Sequence, residues 1–337
     1  MKAIGHLHPL PLDDAHALIE LTLPDPEPGP HDLLVRVRAV SVNPVDVKVR
    51  AGMAPPPGQP RVLGWDAAGE VLAVGSQVQG YAAGDRVWYA GALQRTGSNA
   101  PLQTVDARIA SHMPRSLDYA AAAALPLTGI TAWELLFDRL GVPQGGGAGQ
   151  RLLVVGAAGG VGSILVQLAR QFTQLEVVAT ASRPDTQAWA RTLGAHHVID
   201  HRQPLDEALT AAGLSGGVHL VASLTHTETH YPALVRALRP QGRIALIDDP
   251  TTLDARPLKM KSASLHWEFM FTRPMFETDD MAQQGHLLTQ LADAVDEGRL
   301  RSTVTRDFGE LSVATLREAH AWIESGQAIG KGVLRVA

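Results

Sequence analysis

Residues 151–170, RLLVVGAAGGVGSILVQLAR, carry the strongest structural signal in the chain. A near-continuous apolar run leads into a segment with four glycines. After the glycines, Ile164, Leu165 and Leu168 recur at helical spacing. The stretch therefore predicts a strand, a tight turn and a helix.

The small residues of this turn follow the pattern A-x-G-x-x-G, formed by Ala157, Gly159 and Gly162. This is a one-residue variant of the dinucleotide fingerprint, in which small residues permit the turn, the approach of a pyrophosphate and close packing of helix on strand. Amide groups at the start of the helix would hold the diphosphate. The alternative is a plain strand-to-helix turn, which the strand before and the helix after the glycines make less favourable.

Length and composition limit the class of protein. The chain has 337 residues, 45% hydrophobic and 19% charged, with a net charge of -5. These values predict a globular protein of two domains and argue against a nucleic-acid partner, because phosphate binding needs a positive face. Cysteine is absent, so neither a disulfide nor a thiolate ligand or nucleophile is available.

The chain shows no targeting signal of a familiar kind. No charged-then-apolar segment opens it, and we find no apolar run near twenty residues. The expectation is therefore a cytoplasmic protein with no membrane partner.

The order of the predicted elements divides the chain. Residues 33–42 alternate like a strand, and residues 62–89 form a second β-rich run with frequent glycines, so the first third predicts a compact β domain. Residues 118–140 predict a helical bridge. From residue 151 strands and helices alternate, which predicts a parallel sheet covered by helices on both faces, and after residue 254 the alternation stops.

The end of the second strand of this sheet bears on the choice of cofactor. A carboxylate there would bind the ribose hydroxyls of NAD, but residues 180–183 read TASR. Arg183 with the hydroxyl of Ser182 suits a 2′-phosphate, so the sequence predicts NADPH. Alternatively Ser182 only caps the following helix and Arg183 is solvated, and Ser182 could also serve both purposes.

Several longer stretches resemble the medium-chain dehydrogenase/reductase superfamily, specifically its quinone oxidoreductase branch. They are SVNPVDVKVRAG (41–52), VLGWDAAGEVLAVG (62–75), GDRVWY (84–89), ALPLTGITAWELL (124–136) and the glycine motif. Four further segments are similar to the group called zinc-type alcohol dehydrogenase-like proteins: ATASRPDTQAWARTLGAHHVIDH (179–201), SLTHT (223–227), ALIDDP (245–250) and SLHWEFMFTR (264–273).

The resemblance implies an α/β fold in two domains. Residues 1–125 and 258–337 would form a β-rich GroES-like catalytic domain, and residues 126–257 a Rossmann domain with a doubly wound parallel sheet that binds NADPH. The active site would lie in the cleft between the domains, and the protein would be a homodimer through the edge of the Rossmann sheet.

Zinc-dependent members of the superfamily have ligands that this chain lacks. The resemblance aligns their cysteine, histidine and second cysteine ligands with Asn43, Trp65 and Leu127, and a neighbouring glutamate with Asp66. Tryptophan and leucine offer zinc no ligand atom, and the fourteen histidines form no cluster at metal spacing. We therefore predict no metal site.

Without a Lewis acid, the resemblance implies hydride transfer from NADPH to an electron-poor acceptor, a quinone or an α,β-unsaturated carbonyl. Asn43 and Asp46 would border the substrate, Thr128 would approach the nicotinamide, and Trp65 would form an aromatic wall. Asn43 could donate to a carbonyl oxygen, or with Pro44 it merely ends a strand. Asp46 could orient the backbone or a neighbouring cation, which is more common than acting as an acid.

The resemblance also implies a set of cofactor contacts. The amides of Gly159, Gly160 and Val161 would hold the pyrophosphate, whereas Ser182, Arg183 and His201 would surround the 2′-phosphate. Further contacts to the ribose or nicotinamide would come from Thr131, Ser223, Thr225 and Lys331.

Three other functions remain open. An enoyl-thioester reductase would need a proton donor after Gly52, where relatives have tyrosine and this chain has Met53, Ala54 and Pro55. A zinc-less alcohol or carbonyl reductase is a further enzymatic alternative. From another class, the protein could be an NADPH-binding sensor or structural protein with little turnover.

Overall fold

The computed structural model describes residues 1–55 and 57–337. The chain divides into two compact units, the first formed by Met1–Ile130 with Phe271–Ala337 and the second by Thr131–Met270. The strands are β1 (Lys2–His6), β2 (Ile19–Thr22), β3 (Asp32–Ser41), β4 (Arg61–Val62), β5 (Ala67–Val74), β6 (Arg86–Tyr89), β7 (Leu102–Asp106), β8 (Ala110–His112), β9 (Arg151–Val155), β10 (Glu176–Thr180), β11 (His197–Ile199), β12 (Val218–Ser223), β13 (Leu238–Leu246), β14 (Ser264–Trp267), β15 (Val304–Glu310) and β16 (Lys331–Arg335).

The helices are α1 (Pro44–Gly52), α2 (Tyr119–Ala123), α3 (Pro126–Trp133), α4 (Gly160–Phe172), α5 (Pro184–Thr192), α6 (Leu205–Ala211), α7 (Thr227–Ala237), α8 (Arg256–Lys259), α9 (Thr272–Phe276), α10 (Gln283–Asp296) and α11 (Val313–Glu324). One turn of 3₁₀-helix spans Ala107–Ile109, and a π-helix spans Glu134–Arg139 directly after α3.

The first unit is built on a seven-stranded sheet in the order β15-β16-β3-β5-β6-β8, with β7 also paired to β3. Alternate residues of β3 are buried, as the predicted strand requires. β16 pairs antiparallel with the end of β3, with Val333 opposite Ser41. This pairing brings the last strand of the chain beside the start of α1. A small sheet, β2-β1-β4, completes the unit.

The second unit contains a six-stranded sheet in the order β11-β10-β9-β12-β13-β14, and every described pair in it is parallel. The order reverses direction between β9 and β12, as in the doubly wound Rossmann fold. The predicted α/β fold class is therefore confirmed. Leu153, Val178 and Val221 on neighbouring strands are fully buried in the core between sheet and helices.

The unit boundaries differ from those expected, 125/126 and 257/258. The expectation placed the second boundary where strand–helix alternation fades after residue 254. β14 nevertheless continues the sheet, because its residues pair with β13 from Arg243 opposite Ser264 to Leu246 opposite Trp267. The second unit therefore extends to Met270.

One helical stretch, Tyr119–Arg139, is long and apolar enough to cross a membrane, with a mean hydropathy of 1.4 over its best window. No such run was expected from the sequence. Of that window, 89% is buried inside the protein, which is the condition of a core helix and makes the stretch weak support for a membrane span.

Candidate active site

Four polar side chains of the first unit meet in its interior. Asn43, Asp46, Asp66 and Lys331 are 1%, 1%, 0% and 3% exposed. We refer to these four residues as the buried polar cluster. Three of them were predicted site residues, and the structure brings these three together.

Asn43 connects the other members. It ends the segment after β3 and precedes α1, where its backbone N–H donates to Asp46 Oδ2 at 2.8 Å. Its side-chain Nδ2 donates to Asp66 Oδ2 at 3.0 Å, and its Oδ1 accepts from the Lys331 ammonium. Both ends of the amide therefore have protein partners, which differs from the predicted donation to a substrate carbonyl.

Asp66 is the one member of the cluster that was not a predicted site residue. One carboxylate oxygen accepts the backbone N–H of Leu127 at 2.9 Å, and the other lies 3.1 Å from Lys331 Nζ and accepts from Asn43. A buried carboxylate needs such donors to offset its desolvation. The only sequence signal was its place next to Trp65, at the glutamate position of zinc-dependent relatives.

Lys331 begins β16, and its ammonium uses all three hydrogens inside the protein. Its acceptors are the Val42 carbonyl oxygen at 2.8 Å, Asn43 Oδ1 and Asp66 Oδ2. The predicted contact with a nicotinamide would need an ammonium that is available to a ligand. The structure gives it an internal role as the cation of the cluster.

Burial governs the ionisation of the cluster. It raises the pKa of Asp46 to about 7, and it raises the pKa of Asp66 while the Lys331 charge opposes that rise. Burial also lowers the pKa of Lys331, against the attraction of Asp66. With one ammonium for two carboxyls, the cluster is neutral when Asp46 carries its proton.

The positions that match zinc ligands do not fit a zinc ion. Asn43 offers an amide already used on both ends, and Leu127 offers no ligand atom. Trp65 is 1% exposed and its Nε1 donates to the Ala92 carbonyl oxygen at 3.3 Å. Over residues 1–55 and 57–337, no three or more histidine, aspartate or glutamate side chains form a group that could hold a metal.

The side chains of the remaining predicted catalytic residues, Trp65 and Thr128, are buried. The Trp65 ring meets Phe271 edge-on with centroids 6.4 Å apart. Thr128, 2% exposed, donates from Oγ1 to the carbonyl oxygens of Ala124 and Leu125 at 3.4 and 3.3 Å. Thr131 lies on the same helix, α3, and is 5% exposed.

The glycine turn of the second unit connects β9 to α4. Gly156 has φ +81°, a conformation that favours glycine. A Cβ on Gly162 would lie 2.4 Å from the Gly156 carbonyl oxygen, so helix and strand approach too closely for a side chain there. Gly159 precedes the first turn of α4 and has no side-chain cap, so the turn leaves amides of Gly160 and Val161 for an anion. The turn fits a diphosphate.

The end of β10 adjoins this turn, because Thr180 Oγ1 accepts the Gly156 N–H at 3.1 Å. The predicted cap of the next helix is wrong by one residue. Arg183, not Ser182, precedes α5, and its N–H donates to Thr186 Oγ1 at 3.2 Å. Within the described chain the Ser182 hydroxyl has no hydrogen bond, and the guanidinium of Arg183 lies 3.3 Å from Asp185.

The other predicted cofactor residues follow β11 and β12. His201 meets the ring of His230 edge-on at 6.1 Å, and burial lowers the pKa of His201. Ser223 is fully buried with its Oγ 2.7 Å from Thr227 Oγ1, whereas Thr225 Oγ1 lies 2.8 Å from the Nδ1 of its neighbour His226. Because the strands are parallel, these residues share the carboxyl edge of the sheet with the glycine turn. We refer to the glycine turn with Ser182, Arg183 and His201 as the cradle.

Known families match most of the chain. Residues 29–114 match the alcohol dehydrogenase GroES-like domain family, and residues 193–334 match the zinc-binding dehydrogenase family. A zinc-type alcohol dehydrogenase-like protein of Staphylococcus epidermidis is 38% identical over the whole of both chains. The mitochondrial NAD(P)H oxidoreductase RTN4IP1 of Homo sapiens is 28% identical, over 91% of this chain and 82% of its own.

Among solved structures, a candidate zinc-dependent alcohol dehydrogenase from Rhizobium etli is 52% identical with a TM-score of 0.94. It covers 99% of this chain and 98% of its own.

Proposed function

Since the chain belongs to the medium-chain dehydrogenase/reductase superfamily of oxidoreductases, we propose that it is a zinc-independent, NADPH-dependent reductase. Its acceptor is a quinone or an α,β-unsaturated carbonyl. The observation that supports zinc independence is that the Asp66 carboxylate contacts the Asn43 side chain, the Leu127 amide and the Lys331 ammonium. These contacts use the region of the zinc-ligand positions for an internal ion pair.

The preference for NADPH rests on the end of β10. Residues 180–183 contain no carboxylate for the ribose hydroxyls of NAD, and the next one, Asp185, lies 3.3 Å from the Arg183 guanidinium. Arg183 supplies a partly exposed guanidinium. The Ser182 hydroxyl is not used to cap α5, because Arg183 and Thr186 make the capping contacts at the start of that helix. A guanidinium and a hydroxyl are the donors that a 2′-phosphate requires. The NAD(P)H oxidoreductase among the relatives supports a nicotinamide cofactor in general.

In this mechanism NADPH supplies the hydride when it is bound. The amides of Gly160 and Val161 hold the diphosphate, and Arg183 with Ser182 holds the 2′-phosphate. Asn43 is kept in one orientation by Asp66 and Lys331, and Asp46 keeps a proton on its carboxyl up to about pH 7. With no metal to polarise an alcohol, the chain requires an acceptor that is already electron-poor.

A stopped-flow assay of NADPH oxidation tests this proposal, with a benzoquinone and a small series of enones as acceptors. The expected result is turnover with at least one acceptor, faster with NADPH than with NADH, by protein that contains no stoichiometric zinc. Tight NADPH binding without turnover on any acceptor would instead favour a sensor. Stoichiometric zinc required for activity would overturn the metal-free mechanism.

We also propose that the protein forms a homodimer through β14. This strand is the last of the six-stranded sheet, and large apolar side chains beside it are exposed, Trp267 by 55% and Phe269 by 46%. An open apolar strand edge is a site for pairing with another chain. Sedimentation of the wild type and of Trp267→Lys tests the proposal, since the variant should sediment as a monomer if the edge forms the dimer.

A further inference from the structure

A second cavity of the Rossmann unit lies at the opposite end of its sheet from the cradle. It has a volume of about 320 Å³ and lies where β12 and β13 begin. We call it the Gly216 pocket. Its lining includes Asp206, Leu209, Leu214, Arg236, Leu238 and Arg239. The glycine turn follows the carboxyl end of β9, so the two sites are separated by roughly one strand length, ~16 Å.

Two guanidinium groups converge at Gly216. A Cβ placed on this glycine would lie 3.6 Å from Arg239 Nη1 and 3.6 Å from Arg151 Nη1. The two cationic nitrogens are therefore at most twice that distance apart. Arg239 belongs to the pocket lining, whereas Arg151 Nη1 also donates to the Gly217 carbonyl oxygen at 3.4 Å. Gly216 does not have a positive φ, so its backbone does not by itself require glycine. The absent side chain leaves room for a ligand atom near the two guanidinium groups.

The charges around the pocket leave one cation without a counter-ion. Arg236 is paired with Asp206 through two contacts, at 2.7 and 3.1 Å, and Arg151 is paired with Glu176 at 2.6 Å. Arg239 has neither a hydrogen bond nor an ion pair with any residue of the described chain and is exposed. Arg239 therefore gives the pocket one positive charge that no described carboxylate balances.

The charges of the same two arginines also act on a neighbouring histidine, His219. Arg239 and Arg151 both lower the pKa of His219, in addition to the larger effect of burial. The pocket lining is part charged and part apolar, and its leucines Leu209, Leu214 and Leu238 are almost fully buried. A ligand that fits has an anionic head and a small apolar body.

We propose that the Gly216 pocket binds a small organic anion, whose phosphate or carboxylate head lies at Gly216 and is bound chiefly by Arg239. Guanidinium groups donate in a planar arrangement that matches both kinds of head. The apolar body would lie against the leucines of the lining. A cavity of this size is at the small end of ligand pockets, which limits the ligand to the dimensions of a single ring or a short chain.

Calorimetric titration with phenyl phosphate and with benzoate, at matched chloride ionic strength, tests this site. The two probes share a ring and differ in the head group, so their relative affinity identifies the preferred head. Arg239→Gln should weaken the better probe at least tenfold by removing the unpaired cation. Gly216→Val should do the same by filling the space near the guanidiniums without changing the charge.

Two matched variants separate this pocket from other anion sites. Arg256→Gln removes an exposed arginine elsewhere in the same unit and should leave the affinity unchanged. Arg183→Gln tests whether the probe binds in the cradle instead. The proposal is overturned if neither probe binds at 20 mM, or if only Arg183→Gln weakens binding. Should Gly216→Val not fold, the exposed Arg239 position still decides the result.

Discussion

The buried polar cluster and the cradle both handle charge, but one is closed and the other is open. In the cluster, two carboxyls and an ammonium are 0% to 3% exposed; Asp66 pairs with Lys331, and the Asp46 carboxyl accepts the Asn43 backbone N–H. In the cradle, the amides at the start of α4 have no side-chain cap, and the Arg183 guanidinium is partly exposed beside Asp185.

The difference separates two kinds of function for polar groups. A closed cluster stabilises one arrangement of β3, α1 and β16, so a change there costs folding free energy. An open cradle keeps its donors for a ligand, so a change there costs affinity and little stability. The comparison would fail if a substitution in the cluster changed mainly ligand affinity, or if a substitution in the cradle changed mainly stability.

The largest effect is expected from Lys331→Met. This change leaves the Asp66 carboxylate buried without its cation, and removal of one partner of a buried pair costs about 3–5 kcal/mol. Urea unfolding of both proteins measures the loss.

Lys2→Met is the matched control, because the Lys2–Glu20 pair is 66% and 59% exposed and should contribute less than ~1 kcal/mol. Equal losses in the two variants would show that the cluster is not a closed unit of stability.

Alanine substitutions at two glycines of the turn should have different effects. Gly162→Ala forces a Cβ to 2.4 Å from the Gly156 carbonyl oxygen and should cost about 3 kcal/mol of unfolding free energy. On Gly159 the nearest atom to a Cβ is the same oxygen at 3.5 Å, an ordinary contact. Gly159→Ala should therefore fold normally and lose only NADPH affinity, as measured by fluorescence titration. A large stability loss in Gly159→Ala would contradict an open cradle.

The ionisation of Asp46 gives a pH-dependent prediction. Its pKa is about 7 in the folded protein against 3.8 for an unperturbed aspartate, so the folded state binds more protons between those values. The contribution of Asp46 to stability is complete below about pH 4 and is lost as the pH rises through 7. Asp46→Asn should reduce the fall in unfolding free energy between pH 5 and pH 8 by about 2 kcal/mol. The exposed Asp13→Asn should retain the wild-type fall; an identical fall in Asp46→Asn would refute the assigned pKa.

The smallest effect belongs to the edge of the cradle. Arg183→Gln should weaken NADPH binding about tenfold, since a charge-assisted hydrogen bond contributes about 1.5 kcal/mol, and should leave NADH binding unchanged. The control is Arg191→Gln, an exposed residue of α5, the helix that Arg183 precedes. Equal loss for both cofactors would argue against a 2′-phosphate contact at Arg183.

Local patterns made the second unit predictable. The strand, turn and helix of residues 151–170 depend on neighbours within a few positions, so the apolar period and the glycines indicated β9 and α4 correctly. The helix cap after β10 was misassigned because Ser182 and Arg183 are adjacent, and only the Thr186 hydroxyl decides between them. Both positions were plausible from sequence.

The cluster was predictable only in part. Asn43, Asp46 and Lys331 were named from resemblance, but their mutual contacts depend on β16 lying beside β3, which no local pattern reports. Asp66 was passed over because a lone aspartate beside a tryptophan resembles many solvated residues. Glu268 also could not be identified from a local pattern. Burial and the neighbouring Glu134 raise the pKa of Glu268 to about 9.

The route of the chain through the first unit has a consequence for synthesis on the ribosome. Asp66 emerges long before Lys331, and the whole second unit is translated between them. At 5–20 residues per second the aspartate waits roughly 10–50 s for its lysine. The second unit is contiguous and can complete its contacts during that interval. The first unit can therefore close its polar interior only after the whole of the second unit has been translated.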